Sequence, residues 1–166
     1  MLGMCLLGNF VGGLVFAVMY HFSTLVDSAT GDQAVHSVEA KLAYLDSLSS
    51  MGDLFVRAIL CNFMINLAML LIYNGFIHDD WSKIVSMIVA VFVFAFLGFE
   101  HSVANTVLFT VVGLTHGIDV LAASGNVAVA LLGNFVGGGV LIGAYYAYAN
   151  DDRWVRSRVR AAVPHS

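Results

Sequence analysis

With 166 residues, 60% of them hydrophobic and 11% charged, and a mean hydropathy of +0.87, the chain has under half of the roughly 25% charged residues typical of a soluble domain. That composition excludes an ordinary water-soluble fold and reads as one membrane domain over residues 1–166. A formal net charge of -4 repels phosphate, so nucleic acid is not among the partners it implies.

About 20 helical residues cover the hydrocarbon core of a bilayer, and the first apolar run, residues 2–22, has that length. It opens MLGMCLLGNF, without the basic residues or small-residue cleavage site of a signal peptide. Cys5 here and Cys61 in the next run read as small hydrophobes, with no disulfide framework. Residues 25–53 follow as a loop with Asp27, Asp32, Glu39, Asp46 and Asp53 against a single Lys41. A second run covers 54–76, with Arg57 close enough to the surface to snorkel. The link IHDDWSK, 77–83, puts Trp81 at interfacial depth.

The third run, 84–114, would measure about 46 Å as one helix, more than moderate tilt absorbs. Its middle reads GFEHSVAN, 98–105, which predicts a span broken there. Two half-helices meeting near the midplane would turn their freed backbone groups toward a cavity and away from lipid. The fourth run, 126–149, precedes a tail at 150–166 that gathers Arg153, Arg156, Arg158 and Arg160. The positive-inside rule places this basic tail in the cytoplasm of a multi-pass cell-membrane protein, and the acidic loop at 25–53 then lies outside.

One octapeptide, LLGNFVGG, occurs at 6–13 and again at 131–138. Two spans separate the copies, so the helices that carry them cross in opposite senses, the mark of an inverted repeat. Gly8 and Gly12, like Gly133 and Gly137, form GxxxG, which serves close helix packing; the identical Leu, Asn, Phe and Val around them speak for duplication.

Polar groups at mid-depth are costly unless paired or hydrated. Asn9, Asn62 and Asn134 each fall near the centre of their span, Asn66 follows Asn62 on the same helix face, and Glu100 with His101 falls in the break. A buried amide often only bonds a neighbouring helix, and Glu100 reads as an anchor for the break through its exposed backbone N–H groups. His101 reads as functional, because an imidazole with an unperturbed pKa of about 6.5 exchanges protons in the physiological range. A small anion meets a large desolvation cost in a dry pore that its protonated form does not. Phe94, two turns before His101, is a candidate for such a constriction.

With these residues the chain resembles the formate/nitrite transporter family of pentameric, aquaporin-like channels, in GFEHSVAN at 98–105, RAILCN at 57–62 and LLGNFVGGG at 131–139 leading into YYAYA. The resemblance implies an all-α membrane protein of six helices in two inverted halves, with this chain as helices three to six. It implies a homo-pentamer with one pore per protomer. His101 matches the central pore histidine and proton relay, Asn62 its amide partner, and Glu100 with Asn105 the supporting groups of the same motif. Phe94 and Ile65 match constriction positions.

The departures are also informative. The family's first two helices have no counterpart here, where the family has a Lys near the outer mouth the direct register gives Asp46 with Lys41 nearby, TVLFTVVGL follows Asn105 in place of the family's usual Met and Ile-Pro, and Asn66 replaces a small residue. The implied function is a channel or transporter for small monovalent anions of weak acids, such as formate, nitrite or hydrosulfide, with anions, protons and lipid as partners. It is not an enzyme and calls for no cofactor or metal: HExxH is absent, and FEHSV lacks the i, i+4 histidine pair. Two alternatives stand beside it, a membrane haem or redox anchor using His21 and His116, and a non-transporting structural fragment.

Overall fold

The structure, a computed structural model, describes residues 2–150; the arginine-rich tail lies outside the described residues. Among these every regular element is helical: α1 (Leu2–His21), α2 (Ala29–Leu42) with a 3-10 turn at Ala43–Leu45, α3 (Leu48–Tyr73), α4 (Asp80–Phe96), α5 (Ser102–Thr115) and α6 (Val120–Asn134). A π-helical stretch, Phe135–Ala144, continues α6 into α7 (Tyr145–Ala149).

Short polar side chains set several helix starts by accepting otherwise free backbone N–H groups. Ser28 caps α2, Ser47 caps α3, Asp79 caps α4 through Ser82 N at 2.8 Å, and Asp119 caps α6 through the amides of Leu121 and Ala122. These caps move boundaries that hydropathy alone misplaces. The second apolar helix begins at Leu48, not 54, and the last at Val120, not 126, each directly after its capping residue. The segment read as a loop at 25–53 is mostly helical for the same reason, with Asp32, Glu39 and Lys41 on α2 and Asp53 already on α3.

Two helical stretches, Leu48–Tyr73 and Val120–Ala149, are long and apolar enough to cross a membrane. The third apolar run is divided into α4 and α5 by five residues, 97–101. The interruption is shorter than the 98–105 of the sequence pattern, because Ser102 to Asn105 already form the first turn of α5.

Packing follows small residues. Ala17 is fully buried, and a Cβ on Gly13 would come within 3.1 Å of Val107 Cγ2, so α1 leans on α5 through this stripe. α6 and its π-helical continuation lie against α3, where Leu54, Ala58 and Ala130 form one core; Val38, Phe109, Val112 and Ala123 form another beneath α2. A Cβ on Gly133 would stand 2.6 Å from both Ala58 Cβ and the Phe55 carbonyl oxygen, and one on Gly137 would overlap the Ile59 carbonyl. Large apolar side chains such as Phe92, Phe96, Leu132 and Phe135 point outward, as they do in a protein solvated by lipid.

Candidate pore site at the helix break

Gly98 ends α4. Its φ of +64 is cheap only for glycine, and it lets Phe99 N–H bond Phe94 O at 2.9 Å and Gly98 N–H bond Ala95 O at 3.2 Å, the paired bonds of a Schellman stop. The carbonyls of Leu97 and Gly98 then accept from Arg57 Nη1 at 3.3 and 3.2 Å. Arg57 is itself held by Asp53 at 2.8 Å, one turn earlier on α3, and lies 5.9 Å from the centre of the Tyr44 ring. A side chain read as snorkelling is thus a cap for the end of another helix.

His101 begins α5. Its backbone is extended (φ -119, ψ 118), and Nδ1 accepts the Ala104 N–H at 3.4 Å. With Nδ1 as acceptor, the proton of the neutral ring is assigned to Nε2. The ring is half-buried and tilted toward Phe94, centroids 6.4 Å apart.

Glu100 serves a different set of partners. It is 3% exposed, and both its oxygens accept from Lys41 Nζ at 2.7 Å. Oε2 also accepts from Asn105 Nδ2 at 2.7 Å; the same amide donates to Asn126 Oδ1 at 2.9 Å, and Asn126 Nδ2 donates to the Lys41 carbonyl at 2.8 Å. The four residues close a ring joining α2, the break, α5 and α6. No buried side-chain polar atom among the described residues lacks a partner, as a network in low dielectric requires.

Asn134 bonds two of the backbone groups that the interruption frees and ties them to α3. Its Nδ2 donates to Ala58 O and Glu100 O, and its Oδ1 accepts from Ser102 N, all at 2.9 Å. Leucine at this position would leave the Glu100 carbonyl and the Ser102 N–H without their partner, at roughly 1–3 kcal/mol each, and would remove the second bond to the Ala58 carbonyl inside α3. Asn134→Leu is therefore expected to lower stability by about 3 kcal/mol or more, read as the apparent melting temperature of the purified protein in mild detergent.

The remaining candidates group less tightly. Asn62 Nδ2 donates to the Asn134 carbonyl at 3.0 Å, Asn66 Nδ2 to the Asn62 carbonyl at 2.8 Å, and no hydrogen bond joins Asn62 to His101. Both amides lie against Gly138, where a Cβ would approach Asn66 Nδ2 to 2.7 Å. Phe94 stands beside His101, while Ile65 is half-buried on α3. Asn9 is exposed, and a Cβ on Gly8 or Gly12 would meet nothing within 4 Å.

Sequence reasoning missed Lys41 and Asn126 as members of the network. Lys41 carried a usable signal, as the only Lys or Arg in an acidic stretch, with Glu100 set among apolar residues and in need of a partner. Asn126 carried none, since its place opposite Asn105 depends on how α5 meets α6.

The family model described as Formate/nitrite transporter matches residues 1–148. Among similar proteins, the uncharacterized transporter YwcJ of Bacillus subtilis (strain 168) is 32% identical over 152 residues, 88% of this chain and 56% of its own length. Nitrite transporter NirC of Salmonella typhimurium is 30% identical over 146 residues, 86% of this chain and 52% of its own. Formate channel FocA of Haemophilus influenzae is 29% identical over 162 residues, 86% and 56% of the two chains. The chain thus spans about half the length of the curated relatives it matches. It is a membrane protein that belongs to the formate/nitrite transporter family, a family of transporters and not of enzymes.

Proposed function

We propose that this chain forms part of a channel for small monovalent anions of weak acids, formate, nitrite or hydrosulfide, with His101 as a proton relay. The observation that carries the reading is the placement of His101. It is a half-buried imidazole at the start of α5, inside the helix break and beside the Phe94 ring, while the adjacent Glu100 is turned away into its bonds with Lys41 and Asn105. The carboxylate and the imidazole are thereby separated in role: one is spent on structure and the other is free to exchange.

Phe94 and Ile65 supply a dry constriction, Asn62 an amide near the path, and Glu100 and Asn105 the support. An anion entering the constriction loses water that apolar rings do not replace. A protonated His101 has a proton on each nitrogen and no acceptor, so it gives up the Ala104 bond, already long at 3.4 Å. Transfer of one proton to the anion forms the neutral acid, which crosses the constriction, and leaves a neutral ring. Once the remaining proton resides on Nε2, Nδ1 again accepts from Ala104.

In the full assembly these four apolar runs act as helices three to six of an inverted-repeat, aquaporin-like protomer, five protomers form a homo-pentamer, and the C-terminus lies in the cytoplasm. Proteoliposomes holding the assembled channel and an internal pH indicator test the reading. Formate, nitrite or hydrosulfide influx should deliver about one proton per anion by the stoichiometry of proton transfer. Influx with no internal acidification would refute the relay.

A further inference from the structure

Asn62 and Asn66 stand one turn apart on the same face of α3, both half-buried, and Ile65 lies between them in the sequence. Each spends one amide proton on a backbone carbonyl: Asn62 Nδ2 donates to Asn134 O at 3.0 Å, and Asn66 Nδ2 donates to Asn62 O at 2.8 Å. A carbonyl only accepts, so these bonds fix which end of each amide is nitrogen. The two Oδ1 atoms are left over. Neither accepts a hydrogen bond from a described residue, yet no fully enclosed side-chain polar atom among the described residues lacks a partner. Both oxygens are therefore open to whatever lies beside α3.

Helix packing gives no account of the Asn66 amide. α3 is helical over Leu48–Tyr73, so the Asn62 carbonyl already receives the Asn66 backbone N–H, and the side-chain bond is a second one. Asparagine is also a weak former of helix interiors. The facing chain nonetheless makes room for it. Gly138, in the π-helical stretch, stands where a Cβ would come within 2.7 Å of Asn66 Nδ2 and 3.5 Å of Asn62 Nδ2, and π-helical turns are frequent at functional sites. The amides lead, moreover, to the helix break. Asn66 bonds Asn62, Asn62 bonds Asn134, and the Asn134 side chain holds Glu100 O and Ser102 N, which belong to the peptide groups on either side of His101.

We propose that Asn66 is a specificity-determining residue of the anion path, its Oδ1 accepting the acidic proton of the neutral acid one turn beyond Asn62. The inference rests on the function proposed above, in which a weak acid crosses the constriction in protonated form. Hydrocarbon offers an amide oxygen no donor, whereas the neutral acid brings one. On entering the dry constriction the acid loses the water that accepted its proton, and the Asn66 oxygen takes that water's place. The gain scales with donor strength. The O–H of formic or nitrous acid is a good donor, but an S–H is a weak one and has little hydrogen bonding to lose. Asn66 thus favours oxyacids over hydrogen sulfide.

Initial uptake of formate and of hydrosulfide into proteoliposomes holding the assembled channel tests the inference, with each anion measured directly and the internal pH recorded in parallel. The ratio of formate to hydrosulfide uptake should fall about five-fold in Asn66→Ala, the loss of roughly one net hydrogen bond. Alanine is the better helix former and removes a bond that its acceptor does not need, so this variant keeps the assembly. A merely structural role would slow both anions together. An unchanged or increased ratio in Asn66→Ala therefore overturns the inference, whatever the absolute rates. Failure of the underlying reading shows in the other readout: influx of both anions into the unsubstituted channel without internal acidification refutes the relay, and with it the neutral acid that Asn66 is to recognise.

Discussion

His101→Phe is expected to lower proton-coupled uptake of a weak-acid anion in proteoliposomes by about 100-fold or more, the usual scale for removing a positioned proton donor, while the protein still assembles. A factor of 100 corresponds to about 2.7 kcal/mol in the barrier. The structural cost of the same change is smaller, because His101 contributes a single long cap bond to α5, and loss of a cap costs typically about 1 kcal/mol. His101→Asn separates the two roles. Asparagine is among the best N-cap residues but does not titrate, so this variant should recover the stability lost in His101→Phe and remain as inactive. Wild-type, pH-dependent flux from His101→Asn would show that position 101 serves only to start the helix.

Glu100→Ala should lower stability by about 3 kcal/mol. Removing one member of a buried ion pair leaves the other charge without compensation, at roughly 3–5 kcal/mol. The lower end applies because the Lys41 side chain keeps 21% exposure and can turn toward water. The Asn105 amide loses an acceptor in the same stroke. Adding Lys41→Met should restore at least half of the loss, since an apolar pair in place of a buried ion pair is often neutral or better. Melting temperatures of the four proteins in mild detergent complete the cycle, and additive losses would mean that the 2.7 Å contact contributes nothing to coupling.

Much of this architecture was legible in the sequence, and the reasons differ by element. The break in the third apolar run announced itself because Gly98, Glu100, His101, Ser102 and Asn105 cannot all be exposed to lipid, and because the run is too long for one crossing. The duplicated octapeptide needed only to be noticed. What hydropathy could not supply was local hydrogen bonding. Ser47 and Asp119 extend α3 and α6 by a turn or more beyond their apolar cores, and the acidic stretch around Asp32 and Glu39 is helical although nothing in it is greasy enough to draw attention. Nor could spacing reveal that Lys41 reaches Glu100 across 59 positions of chain. Arg57 is similar: its place near a span end suggested snorkelling, whereas the fold brings the end of α4 to it and gives its guanidinium carbonyls to cap.

The bridge made by Asn134 has a consequence for biosynthesis. The break's Glu100 carbonyl and Ser102 amide find their side-chain partner 34 and 32 positions later in the chain. At translation rates of about 5–20 residues per second, α4 and α5 emerge seconds before the residue that completes them. During that interval the nascent half-helices carry bare peptide groups that hydrocarbon does not solvate. If they enter the bilayer as the sequence pattern predicts, their settled position is expected only when α6 arrives, and a hydrogen bond then sets the order of membrane integration.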